Sequence, residues 1–119
     1  MTNKLAYADV KNRAGAFVSP TLESVTAAAA AAAGNMPDDF RVSITDAVAA
    51  DAYPISSFTW LLIPSTIADA DKGATFVAFL EWMLVEGQTF TKPLGYAPLP
   101  ASVVAKEQAA IGKVSVAHP

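Results

Sequence analysis

Residues Ser57–Ile63 read Ser-Phe-Thr-Trp-Leu-Leu-Ile, a run that ends continuously apolar and is cut off by Pro64. Such a segment predicts a strand buried on both faces, as in a parallel sheet, and a strand of that kind needs two neighbours and covered faces. The rest of the 119 residues offers few partners. Ala6–Val10 and Ala16–Val18 are short β-prone runs. Lys11–Gly15 lies between them as a turn with Gly at its end, so the three together predict a small hairpin. Phe40–Ile44 alternates apolar and polar side chains and predicts a half-buried strand. Tyr53-Pro54-Ile55 is extended because the residue before a proline avoids the helical region. Three or so strands are hard to close into one sheet around the central run.

Three helices are expected. The first starts at Ser19-Pro20-Thr21-Leu22-Glu23, where Ser19 can cap and Pro20 suits the first helical position. It runs through the block Ala27–Ala33 to Gly34. The main helix begins at Asp69 or Asp71. Its Phe76, Phe79, Leu80, Met83 and Leu84 fall on one apolar face, and Gly87 ends or kinks it. Pro93–Pro100 is a rigid loop, and Ala101–Ile111 is a last helix stopped by Gly112. Trp60, Leu62, Phe79, Leu80 and Met83 are expected to form one core, strand against helix. No linker divides the chain into two domains.

Composition points the same way as the lone strand. Hydrophobic residues make up 53% of the chain, charged residues 16%, and mean hydropathy is +0.35. A soluble chain of this size normally covers its surface with more charge, so apolar surface awaiting a partner is expected: a second copy, or further chain. The alanine block accounts for part of the excess. Net charge is −3 and the eight basic residues are scattered, which argues against nucleic acid and anionic membrane as partners. Without Cys there are no disulfides or thiolate metal sites. Met1–Lys4 lacks the apolar stretch of a signal peptide, and the longest strongly apolar runs, Trp60–Ile63 and Phe76–Leu80, are far too short to span a membrane.

Catalytic and metal chemistry is hard to place. The only histidine, His118, is next to the last residue, a poor position for an ordered base. Asp69-Ala70-Asp71 has the opening pattern of a calcium loop without Gly at position six or Glu at twelve, so helix capping is the better reading. Asp38-Asp39 is a turn pair of the solvated kind. Gly112-Lys113-Val114 lacks the upstream glycine and the Ser/Thr of a phosphate loop. Glu81 and Trp82 can line a pocket, but such residues are more often a polar-face glutamate and a core or interface tryptophan. No cofactor is implied, and an enzyme is not expected.

Two stretches carry a resemblance. Asn3–Thr21 reads NKLAYADVKNRAGAFVSPT, and Ala52–Pro64 reads AYPISSFTWLLIP. The second is followed by Lys72-Gly73, Phe79-Leu80-Glu81-Trp82, Glu86-Gly87-Gln88 and Leu94-Gly95-Tyr96-Ala97-Pro98-Leu99-Pro100. In this order and spacing they resemble the last third of the phosphate-specific periplasmic binding proteins, from about Asn3 to Ile111. The resemblance implies part of an α/β, type II periplasmic-binding-protein fold, incomplete alone. Residues from about 1 to 52 are expected in the second lobe, and from about 53 to 119 in the crossover strand and first-lobe helices. It also implies inorganic phosphate and an ABC permease as partners, and a periplasmic or extracytoplasmic location.

The resemblance equally implies what this segment does not carry. The family holds phosphate with backbone N–H groups at helix N-termini, Ser and Thr hydroxyls, an arginine and an aspartate. The motifs are a Gly-Ala-rich segment with Thr-Phe and an Arg-x-x-x-Ser-Gly-Thr segment. Neither occurs here; Arg13 and Arg41 have no Ser-Gly-Thr after them. No phosphate-binding, catalytic, cofactor or metal residue is therefore assigned. The best anion candidate is the Ser19–Leu22 helix start, where Glu23 opposes an anion; Lys92 and Lys113 are flexible point charges. The expected role is scaffold in the receptor of a phosphate importer. The alternative is a stand-alone interaction module that oligomerises through apolar surface.

Overall fold

A computed structural model describes residues 6–117; the N-terminal Asn3–Leu5 part of the first family-like stretch and His118-Pro119 lie outside the described residues. The described residues form a small α/β arrangement of three α-helices and two two-stranded pairings.

The hairpin forms as expected but is short. Strands β1 (Val10–Lys11) and β2 (Phe17–Val18) pair antiparallel. Gly15 closes the turn at φ +87, a backbone region that side chains with a Cβ avoid. Helix α1 spans Leu22–Ala33. Its cap is Thr21 rather than Ser19, because Thr21 and Ser24 satisfy each other's backbone N–H in a capping box. Pro20 thus stands before the cap instead of at the first helical position. Gly34 caps the C-terminus in right-handed geometry.

Helix α2 (Ala70–Leu84) starts where expected, with the Asp69 carboxylate accepting from the Lys72 N–H. It ends before Gly87, and a 3-10 segment, Glu86–Phe90, follows. Helix α3 occupies Ala101–Ile111, as read from Pro100 and Gly112. Gln88 fastens the end of α2 to the loop before α3: its Nε2 donates to the Met83 carbonyl (3.1 Å), and its Oε1 accepts from the Leu99 N–H (2.9 Å). Strands β3 (Thr66–Ile67) and β4 (Ser115–Val116) form a parallel pair against α2 that sequence reading does not anticipate. Gly73 permits that approach, since a Cβ there would meet Val116 Cγ1 at 2.6 Å.

Two expected strands do not form ladders. At Phe40 the backbone turns left-handed, at φ +59. The following N–H groups are satisfied locally: Arg41 by the Asp39 carboxylate, Val42 by the Phe40 carbonyl and Thr45 by Ser43 Oγ. Phe40–Ile44 is therefore irregular, although Ile44 is buried. Ser57–Ile63 forms no ladder, and no backbone N–H from Ser57 to Ile63 has a partner among the described residues.

The core is split. One cluster joins Ala28 and Ala29 of α1 to Ile44 and Ala52, with Phe58 against it. The other joins Leu80 and Leu84 of α2 to Ile111 of α3, with Ile63, Val77, Met83, Leu99 and Val104 around it. The single core expected from Trp60, Leu62, Phe79, Leu80 and Met83 is thereby corrected: Leu80 is buried and Met83 half-buried, but Trp60, Leu62 and Phe79 are exposed. The strand lacks the sheet neighbours that would cover them.

Candidate functional site

The polar candidates are each absorbed by local structure. Asp69 is a helix cap, and its hydrogen bonds to Lys72 hold its carboxyl below the usual range. Asp71 lies in the first turn of α2. Asp39 is drawn low by its hydrogen bonds to Arg41 (Nη2 at 2.6 Å), and Asp38 stands 4.0 Å from Lys106. Arg13 clamps the Asp46 carboxylate through its backbone N–H (2.9 Å) and Nε (3.1 Å). Both arginines thus face carboxylates of their own chain. Ser19 Oγ donates to Asp9, and Thr21 and Ser24 spend their hydroxyls on the α1 cap, so the Ser19–Leu22 start has few free donors for an anion. Lys92 lies in a short 3-10 turn and Lys113 follows α3, both exposed. Burial pushes the half-buried Glu107 carboxyl up. Among the described residues no group of three or more His, Asp or Glu side chains is placed to hold a metal. No described helix is long and apolar enough to cross a membrane.

What the structure does assemble is apolar. Trp60 stands on the unpaired Ser57–Ile63 segment, edge-on to Phe58 at 6.0 Å, with its Nε1 donating to the Phe40 carbonyl (3.2 Å). Leu61 is exposed and Leu62 is 97% exposed. On α2, Phe79 stacks on Trp82 at 5.8 Å, and Trp82 meets Phe90 at 6.0 Å. An open groove beside α2 runs from Pro64 and Ile67 along Asp71, Lys72 and Thr75 to Phe76 and Phe79. Trp82 is therefore a surface aromatic rather than a core residue, and Glu81 beside it is exposed.

The surface is also too large for a closed domain of this mass. The chain exposes 8030 Å². A folded monomer of 12.4 kDa is expected to expose about 6,100 Å². Its radius of gyration is 16.7 Å, with extents of 55 × 32 × 19 Å; a compact chain of this length falls near 13.5 Å. Apolar surface was legible in the sequence, but which residues would form it was not, because Ser57–Ile63 finds no ladder partner among the described residues to cover Trp60 and Leu62.

No protein-family model matches the chain. Among curated proteins, it is 34% identical to the phosphate-binding protein PstS of Xylella fastidiosa (strain Temecula1) over 109 residues, 92% of this chain. It is 31% identical to PstS of Haemophilus influenzae over 102 residues, 86% of the chain, and 35% identical to PstS of Methanocaldococcus jannaschii over 115 residues, 84% of the chain. The chain spans only 30%, 30% and 28% of the length of these relatives. The resemblance seen in the sequence motifs is thus to the PstS phosphate-binding proteins, and the chain is a relative of about the last third of them.

Proposed function

We propose that the chain serves as a scaffold segment of a two-lobed phosphate receptor of an ABC-type importer, working outside the cytoplasm with phosphate as ligand and a permease as partner. The observation that carries this reading is the similarity to PstS across nearly the whole chain. In it, residues from about 1 to 52 belong to the second lobe. Those from about 53 to 119 supply the crossover strand and first-lobe helices of a type II periplasmic-binding-protein fold. The unpartnered Ser57–Ile63 strand supports that division, since in such a fold its ladder would be completed by strands from outside this segment. The phosphate ligands would also come from outside it. Phosphate is strongly hydrated and needs many preorganised donors, whereas Arg13 and Arg41 here are already paired.

Two titrations test the reading. Calorimetry of the 119-residue chain with phosphate at low salt, with sulfate as control, is expected to show no saturable binding. A chimera in which this chain replaces the matching segment of the Xylella PstS is expected to bind phosphate one-to-one. A folded chimera without phosphate binding would overturn the scaffold role.

A further inference from the structure

We infer that the 119-residue chain pairs with a second copy of itself through Ser57–Ile63, forming a two-fold antiparallel ladder centred on Trp60. The proposal concerns the chain on its own, and it goes beyond the receptor role above.

Four observations carry it. First, the segment contains no helix, turn or bend and is held at both ends: Phe58 packs on one core cluster and Ile63 on the other, leaving Thr59–Leu62 open between them. Anchoring at both ends lowers the ordering entropy lost on pairing. Second, the N–H groups from Ser57 to Ile63 have no partners among the described residues, and a row of unpaired donors and acceptors is a template for another strand. Third, no charged residue occurs between Asp51 and Asp69, and Pro54 and Pro64 stand outside the pairing segment. The charges and prolines that natural edges use against self-pairing are absent from its interior. Fourth, the surface beyond that of a compact chain is about 1,900 Å², from 8030 Å² against about 6,100 Å². A standard stable interface takes about 800 Å² from each partner.

A second copy fits because an antiparallel pair of identical strands satisfies two-fold symmetry without any new surface. Centred on Trp60, the register sets Phe58 against Leu62 and Thr59 against Leu61. Apolar and aromatic cross-strand pairs of this kind stabilise a ladder.

Sedimentation velocity and amide hydrogen exchange of the intact chain, from dilute solution up to about 100 µM, test the pairing by mass action. A dimer is expected, with Ser57–Ile63 amides gaining protection as concentration rises. Leu62→Lys touches a side chain that is 97% exposed, so the monomer fold is retained. It is expected to weaken the dimer at least about tenfold by placing a charge against Phe58. Leu94→Lys, on an exposed 3-10 turn outside the pairing segment, serves as the control and leaves association unchanged. A monomer throughout, or a dimer indifferent to Leu62→Lys with Ser57–Ile63 amides exchanging freely, overturns the proposal. So does protection that arises only when the remaining portion of a phosphate-binding protein is added, which would make that portion the occupant. None of these outcomes decides whether the chimera binds phosphate, so the two readings fail separately.

Discussion

At the residue scale, Asn12 fastens the hairpin to a loop far along the chain. Its buried Nδ2 donates to the carbonyls of Ala49 (3.1 Å), Ala50 (3.0 Å) and Ala52 (3.1 Å), while its Oδ1 accepts from the Ala16 N–H (3.1 Å). Asn12→Ala would strand several of these groups, and a buried polar group without a partner costs roughly 1–3 kcal/mol. We expect urea unfolding to show a loss of that size. A change below about 0.5 kcal/mol, the usual range for surface substitutions, would mean that water replaces the amide. The sequence marks Asn12 only as a turn residue beside Gly15. Nothing local announces a partner 40 positions away, because turn chemistry is written in neighbours and a tertiary hydrogen bond is not.

At the scale of elements, legibility follows how much of the determinant lies within the element. Helix α3 was readable to the residue because Pro100 and Gly112 bracket it. The start of α2 was readable because Asp69 caps it. The start of α1 was misplaced by two residues, since Ser19 and Thr21 are both competent caps and only Ser24, three beyond Thr21, decides between them. The β elements fared worse. Phe40–Ile44 has the alternation of a strand, yet no neighbour fixes it, and the N–H groups of Arg41 and Val42 turn to the nearby Asp39 carboxylate and Phe40 carbonyl. Strands β3 and β4 are two residues each and carry no period to read. The same distinction gives a paired prediction. Leu80 is 4% exposed within the α2–α3 cluster, so Leu80→Ala is expected to cost roughly 2–5 kcal/mol. Leu62→Ala, at dilution where the chain is monomeric, is expected to cost less than about 0.5 kcal/mol. Equal losses in denaturant titrations would show that Leu62 belongs to the core after all.

At the scale of the whole molecule, two small clusters replace one core, and they are joined where α1 packs on α3 and by a few hydrogen bonds. Thr26 Oγ1 donates to the Pro98 carbonyl (2.9 Å), Lys106 reaches the Met36 carbonyl, and α1 touches α3. The Phe58–Ile63 segment runs from one cluster to the other without a ladder. Stability in such a molecule is distributed unevenly, because each cluster can open without exposing the whole apolar interior of the other. Ile44 is the largest fully buried side chain of the α1 cluster and lies far in packing terms from Leu84 and Ile111. Ile44→Ala removes roughly 2–5 kcal/mol from its own cluster. Native-state hydrogen exchange is therefore expected to show α1 amides losing most of that protection, while α2 and α3 amides lose distinctly less. Uniform loss across all three helices would mean a single cooperative core, with the α1–α3 contact coupling the two clusters. A divided response is what a chain with 8030 Å² of surface and a 16.7 Å radius of gyration should give, since no strand ladder among the described residues joins its clusters.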